Sequence, residues 1–84
     1  MSLTRKEIVT EILEKGKVIH TEDTDWYLFK VYEGTLSNNR LYRVEFSKCK
    51  LALDVTYCFV IRINPNDRDD EHYLGMQRME RIEF

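Results

Sequence analysis

Cysteine, proline and glycine are scarce in this chain: two, one and three residues in a sequence of 84. Two cysteines, Cys49 and Cys58, are too few for a disulfide-stapled secreted scaffold, so a cytoplasmic chain with reduced thiols is expected. The glycines stand far apart, at 16, 34 and 75, which excludes a glycine-rich phosphate loop. No apolar run approaches the roughly 18 residues of a membrane span, and none at the start has the length of a signal peptide. A dominant charge is also missing. Thirteen basic residues stand against fifteen acidic ones, for a net charge of −2. A non-specific nucleic-acid binder usually carries a net basic footprint.

Aromatic residues, by contrast, are plentiful. One Trp, five Tyr and four Phe, in a chain that is 43% hydrophobic, supply ample surface to bury, and disorder is not expected. A chain this short has room for one core, so residues 1–84 are read as one domain. Charge is unevenly spread. Residues 26–50 hold five basic and two acidic side chains, whereas residues 66–84 hold three basic and six acidic ones. Segments so opposed can pair with each other or across two copies.

The first element reads as a helix. Thr4-Arg5-Lys6-Glu7 fits a capping box, in which the Thr hydroxyl and the Glu carboxylate each satisfy a backbone N–H of the other. Leu3 and Ile8 take the staple positions, and Ile8, Val9, Ile12 and Leu13 form one apolar stripe. Gly16 follows as a stop. Beyond it the periodicity changes from 3.6 to 2. Val18–Thr21 is a short strand candidate, ended by an acidic turn at Glu22-Asp23-Thr24-Asp25. Residues 26–32 read as a second strand with bulk on both faces, and 34–39 as a hairpin loop. Tyr42, Val44 and Phe46 alternate with Arg43, Glu45 and Ser47 in a third strand. Val55, Tyr57, Phe59, Ile61 and Ile63 give the strongest strand signal. Residues 73–84 are read as a strand, because Gly75 disfavours helix and the Met76, Met79, Ile82 spacing drifts around one. The fold class is therefore α+β: an N-terminal amphipathic helix on one face of an antiparallel sheet of about five strands. The order is an α-β-β-β-β-β meander, left flat or rolled into a partial barrel.

The stretch NPNDRDDEH, residues 64–72, invites a metal reading. An EF-hand loop needs oxygen ligands at positions 1, 3 and 5, glycine at 6 and glutamate at 12. Starting at Asp67 puts His72 at the glycine position and Arg78 at the glutamate; starting at Asn64 puts Asp69 and Gly75 there. Both registers fail. Zinc would need a ligand pair, and the only histidines, His20 and His72, are far apart. The stretch reads as a hairpin loop kept wet by its charges, and neither metal nor cofactor is expected.

Cysteine-dependent chemistry at Cys49 or Cys58 is the enzymatic alternative, with His20 or His72 as base. No flanking signature supports it, and Cys58 sits between Tyr57 and Phe59, where a cysteine is usually a small hydrophobe. A non-enzymatic reading is favoured. If Tyr27, Phe29, Val31, Tyr42, Val44, Phe46, Val55, Tyr57, Phe59 and Ile61 face the helix, the other face shows Trp26, Leu28, Lys30, Tyr32, Arg43, Glu45, Thr56, Cys58, Val60 and Arg62. One short helix cannot cover both faces. The second is then sealed by the chain's own C-terminal segment or by rolling, met by a second copy, or met by a foreign ligand. The expected function is a small binding module that homodimerises through a sheet face or edge. Trp26, Leu28, Lys30, Tyr32, Arg43, Val60 and Arg62 form its predicted interface. The alternative is a nucleic-acid-binding accessory protein using Lys30, Arg40, Arg43, Lys48 and Lys50 with Tyr32 and Tyr42.

Overall fold

The computed structural model of the chain describes residues 2–51 and 54–84. It has one helix, α1 (Arg5–Lys15), followed by five strands: β1 (Lys17–Asp23), β2 (Tyr27–Thr35), β3 (Leu41–Cys49), β4 (Val55–Asn64) and β5 (Asp67–Glu80). Every strand pairs antiparallel with its chain neighbours, in the order β1-β2-β3-β4-β5. This is the expected α+β meander, with the helix packed on one face. The sheet curls without closing into a barrel, since β1 and β5 remain its two edges. Among the described residues, no helix is long and apolar enough to cross a membrane.

The helix starts where its sequence says it should. Glu7 N–H donates to Thr4 Oγ1 at 3.2 Å, and Thr4 N–H donates to Glu7 Oε1 at 3.0 Å. Gly16 ends it for a steric reason rather than a conformational one. A Cβ there would lie 2.6 Å from the Ile12 carbonyl oxygen, and a Cβ on Gly34 would lie 3.0 Å from the Gly16 Cα. The two glycines let the helix exit pass backbone-to-backbone over β2.

Ile8, Val9 and Ile12 of the helix close over Tyr42, Val44 and Phe46 of β3 and over Cys58 and Val60 of β4. Phe46 is the largest enclosed side chain. It stacks on Phe84 at 5.2 Å and meets Tyr32 edge-on, also at 5.2 Å. A phenylalanine so placed stabilises the fold by roughly 3–5 kcal/mol over alanine. Leu36, from the β2–β3 loop, joins this core, and the loop is tied to the helix by Ser37. Its N–H and hydroxyl donate to the two Glu11 carboxylate oxygens at 3.0 and 2.8 Å.

Two expectations are corrected. The acidic stretch is only briefly a loop: Pro65-Asn66 make the turn, and β5 begins at Asp67, so Asp67–His72 belong to a strand. The other correction concerns which faces are inside. Strand β3 follows the expected phase, but β2 and β4 are inverted. Cross-strand partners share a face. Tyr32 pairs with Val44 and Val44 with Val60, so Leu28, Lys30 and Tyr32 and Thr56, Cys58, Val60 and Arg62 lie on the helix side. Tyr27, Phe29, Val31, Tyr57, Phe59 and Ile61 point away from it. The cause is volume. A helix seated close to a sheet needs small partners beneath it, and Gly34, Thr56, Cys58, Val60 and Gly75 provide that track.

Candidate interaction surface

Register assembles the helix-free face in rows. One row runs Glu22–Phe29–Ser47–Tyr57–Arg78 across all five strands, and the next runs His20–Val31–Glu45–Phe59–Met76. A third carries Glu33–Arg43–Ile61–Tyr73 on β2 to β5, and a fourth Thr35–Leu41–Ile63–Glu71. The face has two unlike ends.

At the third and fourth rows the β4–β5 hairpin bends over the sheet. Arg68 Nη2 donates to both carboxylate oxygens of Glu33, at 2.8 and 2.6 Å, although β3 and β4 lie between their strands. Arg43 Nη1 lies 2.7 Å from Glu71 Oε1. The guanidinium beside it holds the Glu71 carboxyl below the usual glutamate range. Ile63 and Ile61 are buried here, and so is Val31 in the adjoining second row, on a face that a flat sheet would leave open. The curl and the ion pairs across it enclose them.

The other end stays open. Tyr57 is 44% exposed and Met76 41%, on paired strands, with Tyr27 also exposed at this end and Tyr73 exposed on the β5 edge of the third row. Trp26 stands at the rim, 67% exposed. Its turn is held by Thr24, whose hydroxyl oxygen accepts from the Trp26 and Tyr27 N–H groups at 3.2 and 3.1 Å. The Lys50 N–H donates to the Trp26 carbonyl at 2.9 Å and joins the two turns at this rim. The Glu22 carboxylate, beside the Tyr27 hydroxyl at 3.3 Å, pushes the phenol pKa up. The C-terminal tail does not lie on this face: Ile82 and Phe84 pack on the helix side.

The seven residues expected to form the interface are not brought together. Trp26 is exposed at the rim, and Arg43 is on the helix-free face but engaged with Glu71. Leu28, Lys30, Tyr32 and Arg62 are half-buried on the helix side, and Val60 is fully enclosed in the core. Sequence reasoning missed Phe29, Tyr57, Phe59, Tyr73 and Met76 as the face that meets solvent. The signal was present in the small residues Gly34, Thr56 and Cys58, which mark the side beneath a helix.

The basic set is divided as well. Lys30 and Lys48 lie on the helix side, Arg43 on the other, and Lys50 pairs with Asp23 at the rim. Tyr42 is buried. The two thiols are separated in the same way. Cys49 is exposed beside Tyr27, whereas Cys58 is buried under the helix, where desolvation pushes its pKa up to about 12. A thiol so placed remains protonated at neutral pH and is no nucleophile. Among the described residues, no group of three His, Cys, Asp or Glu side chains is placed to hold a metal ion.

Comparison with known protein families finds no family model that matches the chain, and neither curated proteins nor solved structures yield a match.

Proposed function

We propose that this chain is a small non-enzymatic binding module that homodimerises through the open end of its helix-free sheet face. The observation that carries this reading is the exposure of Tyr57 and Met76 while the C-terminal tail packs on the opposite side. Nothing in the described chain covers them. Contiguous aromatic and Met surface of this kind is what interface cores favour.

A second copy is preferred to a foreign partner because of how charge is distributed along the first row. Glu22 stands at its β1 end and Arg78 at its β5 end, with Phe29, Ser47 and Tyr57 between. Two such faces related by a two-fold axis parallel to the strands place each β1 over the partner's β5. Glu22 of each copy then opposes Arg78 of the other, and the two aromatic centres pack against each other, as in an aligned sheet sandwich. Both side chains are accessible for this: each retains about half or more of its exposure. A nucleic-acid groove has less support, because the basic residues are split between the faces and two of them are already paired.

Sedimentation tests the reading. The wild-type chain is expected to self-associate with rising concentration, and Tyr57→Lys to remain monomeric with an unchanged far-ultraviolet spectrum. A wild-type chain that is monomeric throughout removes the support for it.

A further inference from the structure

We propose that the helix side carries a second, independent site: a cleft that binds the phosphate group of a small phosphate monoester. It lies at the end of the sheet where β2 turns into β3. The cleft encloses about 370 Å³, within the size range of small-ligand sites, and is lined by Arg40, Arg62, Asn38, Tyr42, Ser2 and Leu74. Among the described residues, no carboxylate lines it.

The cations are placed there by strand register. Tyr42, Arg62 and His72 form one cross-sheet row on the helix side. Arg40, at the end of the loop just before β3, lines the same cleft as Arg62. Like charges at such positions repel and lower stability, unless an anion lies between them. Neither guanidinium forms an ion pair or a side-chain hydrogen bond among the described residues. Arg5 adds a third guanidinium at the margin, where its Nη1 donates to the carbonyl of the lining residue Leu74 at 3.2 Å. Gly75 makes room for it, since a Cβ there would lie 2.6 Å from Arg5 Nη1.

The lining is held in place. Asn38 Nδ2 donates to the Tyr42 hydroxyl at 2.8 Å, and the Arg40 N–H donates to Asn38 Oδ1 at 3.2 Å. The two arginines also line a smaller cleft that includes Asp70 and His72, 3.5 Å apart. Its carboxylate makes it a poor anion site, which leaves the larger cleft. Two planar guanidinium forks suit the tetrahedral oxygens of phosphate, and Leu74 and Leu3 offer apolar surface to an organic group.

The site is on the opposite side of the sheet from the proposed dimer face, so the two tests are separable. Amide chemical shifts are followed while the full chain is titrated with glycerol phosphate, inorganic phosphate or chloride at constant ionic strength. Saturating shifts at Arg40, Arg62 and Leu74 are expected with both phosphates, tighter with the ester, and none with chloride. Arg62→Gln is expected to weaken binding at least tenfold, whereas Lys17→Gln, on the β1 edge, leaves it unchanged. Arg40→Gln serves as a second variant should Arg62→Gln lose its fold. Shifts that never saturate, that chloride reproduces, or that both arginine variants retain overturn the proposal.

Discussion

Arg68 on β5 binds both carboxylate oxygens of Glu33 on β2, across the two strands that lie between them on the helix-free face. A flat sheet would hold these strands about 14 Å apart, at about 4.8 Å per strand step. The pair therefore measures the curl of the sheet and fixes which end of the face is closed. Reversing the charge in Arg68→Glu is expected to speed amide exchange around Ile61 and Ile63 and to lower Tm. Adding Glu33→Arg restores part of both. The coupling fades in 1 M salt, because exposed charges are then screened. Simple additivity of the two substitutions would show that the curl does not depend on the pair.

Acid should loosen the helix–loop tie and the hairpin together. The Ser37 backbone N–H, followed by its hydroxyl, holds the Glu11 carboxyl below its ordinary range, and Arg43 does the same for Glu71. A carboxyl whose pKa is depressed by folding adds stability above its unfolded value, and that stability is lost as pH falls through the folded value. Thermal melts should therefore decline below the ordinary glutamate range, with Glu11→Gln and Glu71→Gln each flattening the decline. Acid limbs identical to wild type would contradict the assignment.

The thiols should differ sharply in reactivity. One equivalent of a thiol reagent is expected to react with the native chain, at the exposed Cys49, and the second only on unfolding, because burial pushes Cys58 up to about 12. Cys49→Ser should abolish native labelling. Two fast equivalents in the folded protein would contradict the burial of Cys58.

Much of the architecture was legible in the residues. The capping box at Thr4–Glu7, the apolar stripe Ile8–Val9–Ile12 and the change to period two after Gly16 defined the helix and the meander. The phase of β3 was legible too, because Arg43 and Glu45 mark one face as polar. It was illegible on β2 and β4, where both parities are apolar and bulk alone gave the wrong side. A helix near the sheet selects for small neighbours, so Cys58 and Val60 went under it and Tyr57 and Phe59 went out. The acidic stretch misled for a related reason. Its charges resemble those of a loop, yet Arg68 and Glu71 are strand residues whose partners, Glu33 and Arg43, lie far back in the chain. Local composition carries no trace of such pairing.

Face-to-face pairing of two copies, as proposed, puts Glu22 opposite the other copy's Arg78. Sedimentation equilibrium of Glu22→Arg, Arg78→Glu and the double reversal tests it directly. Each single reversal is expected to weaken the dimer by placing like charges across the interface, and the double reversal to recover wild-type association. A wild-type chain that stays monomeric at every concentration, or a double reversal no better than the singles, would contradict it.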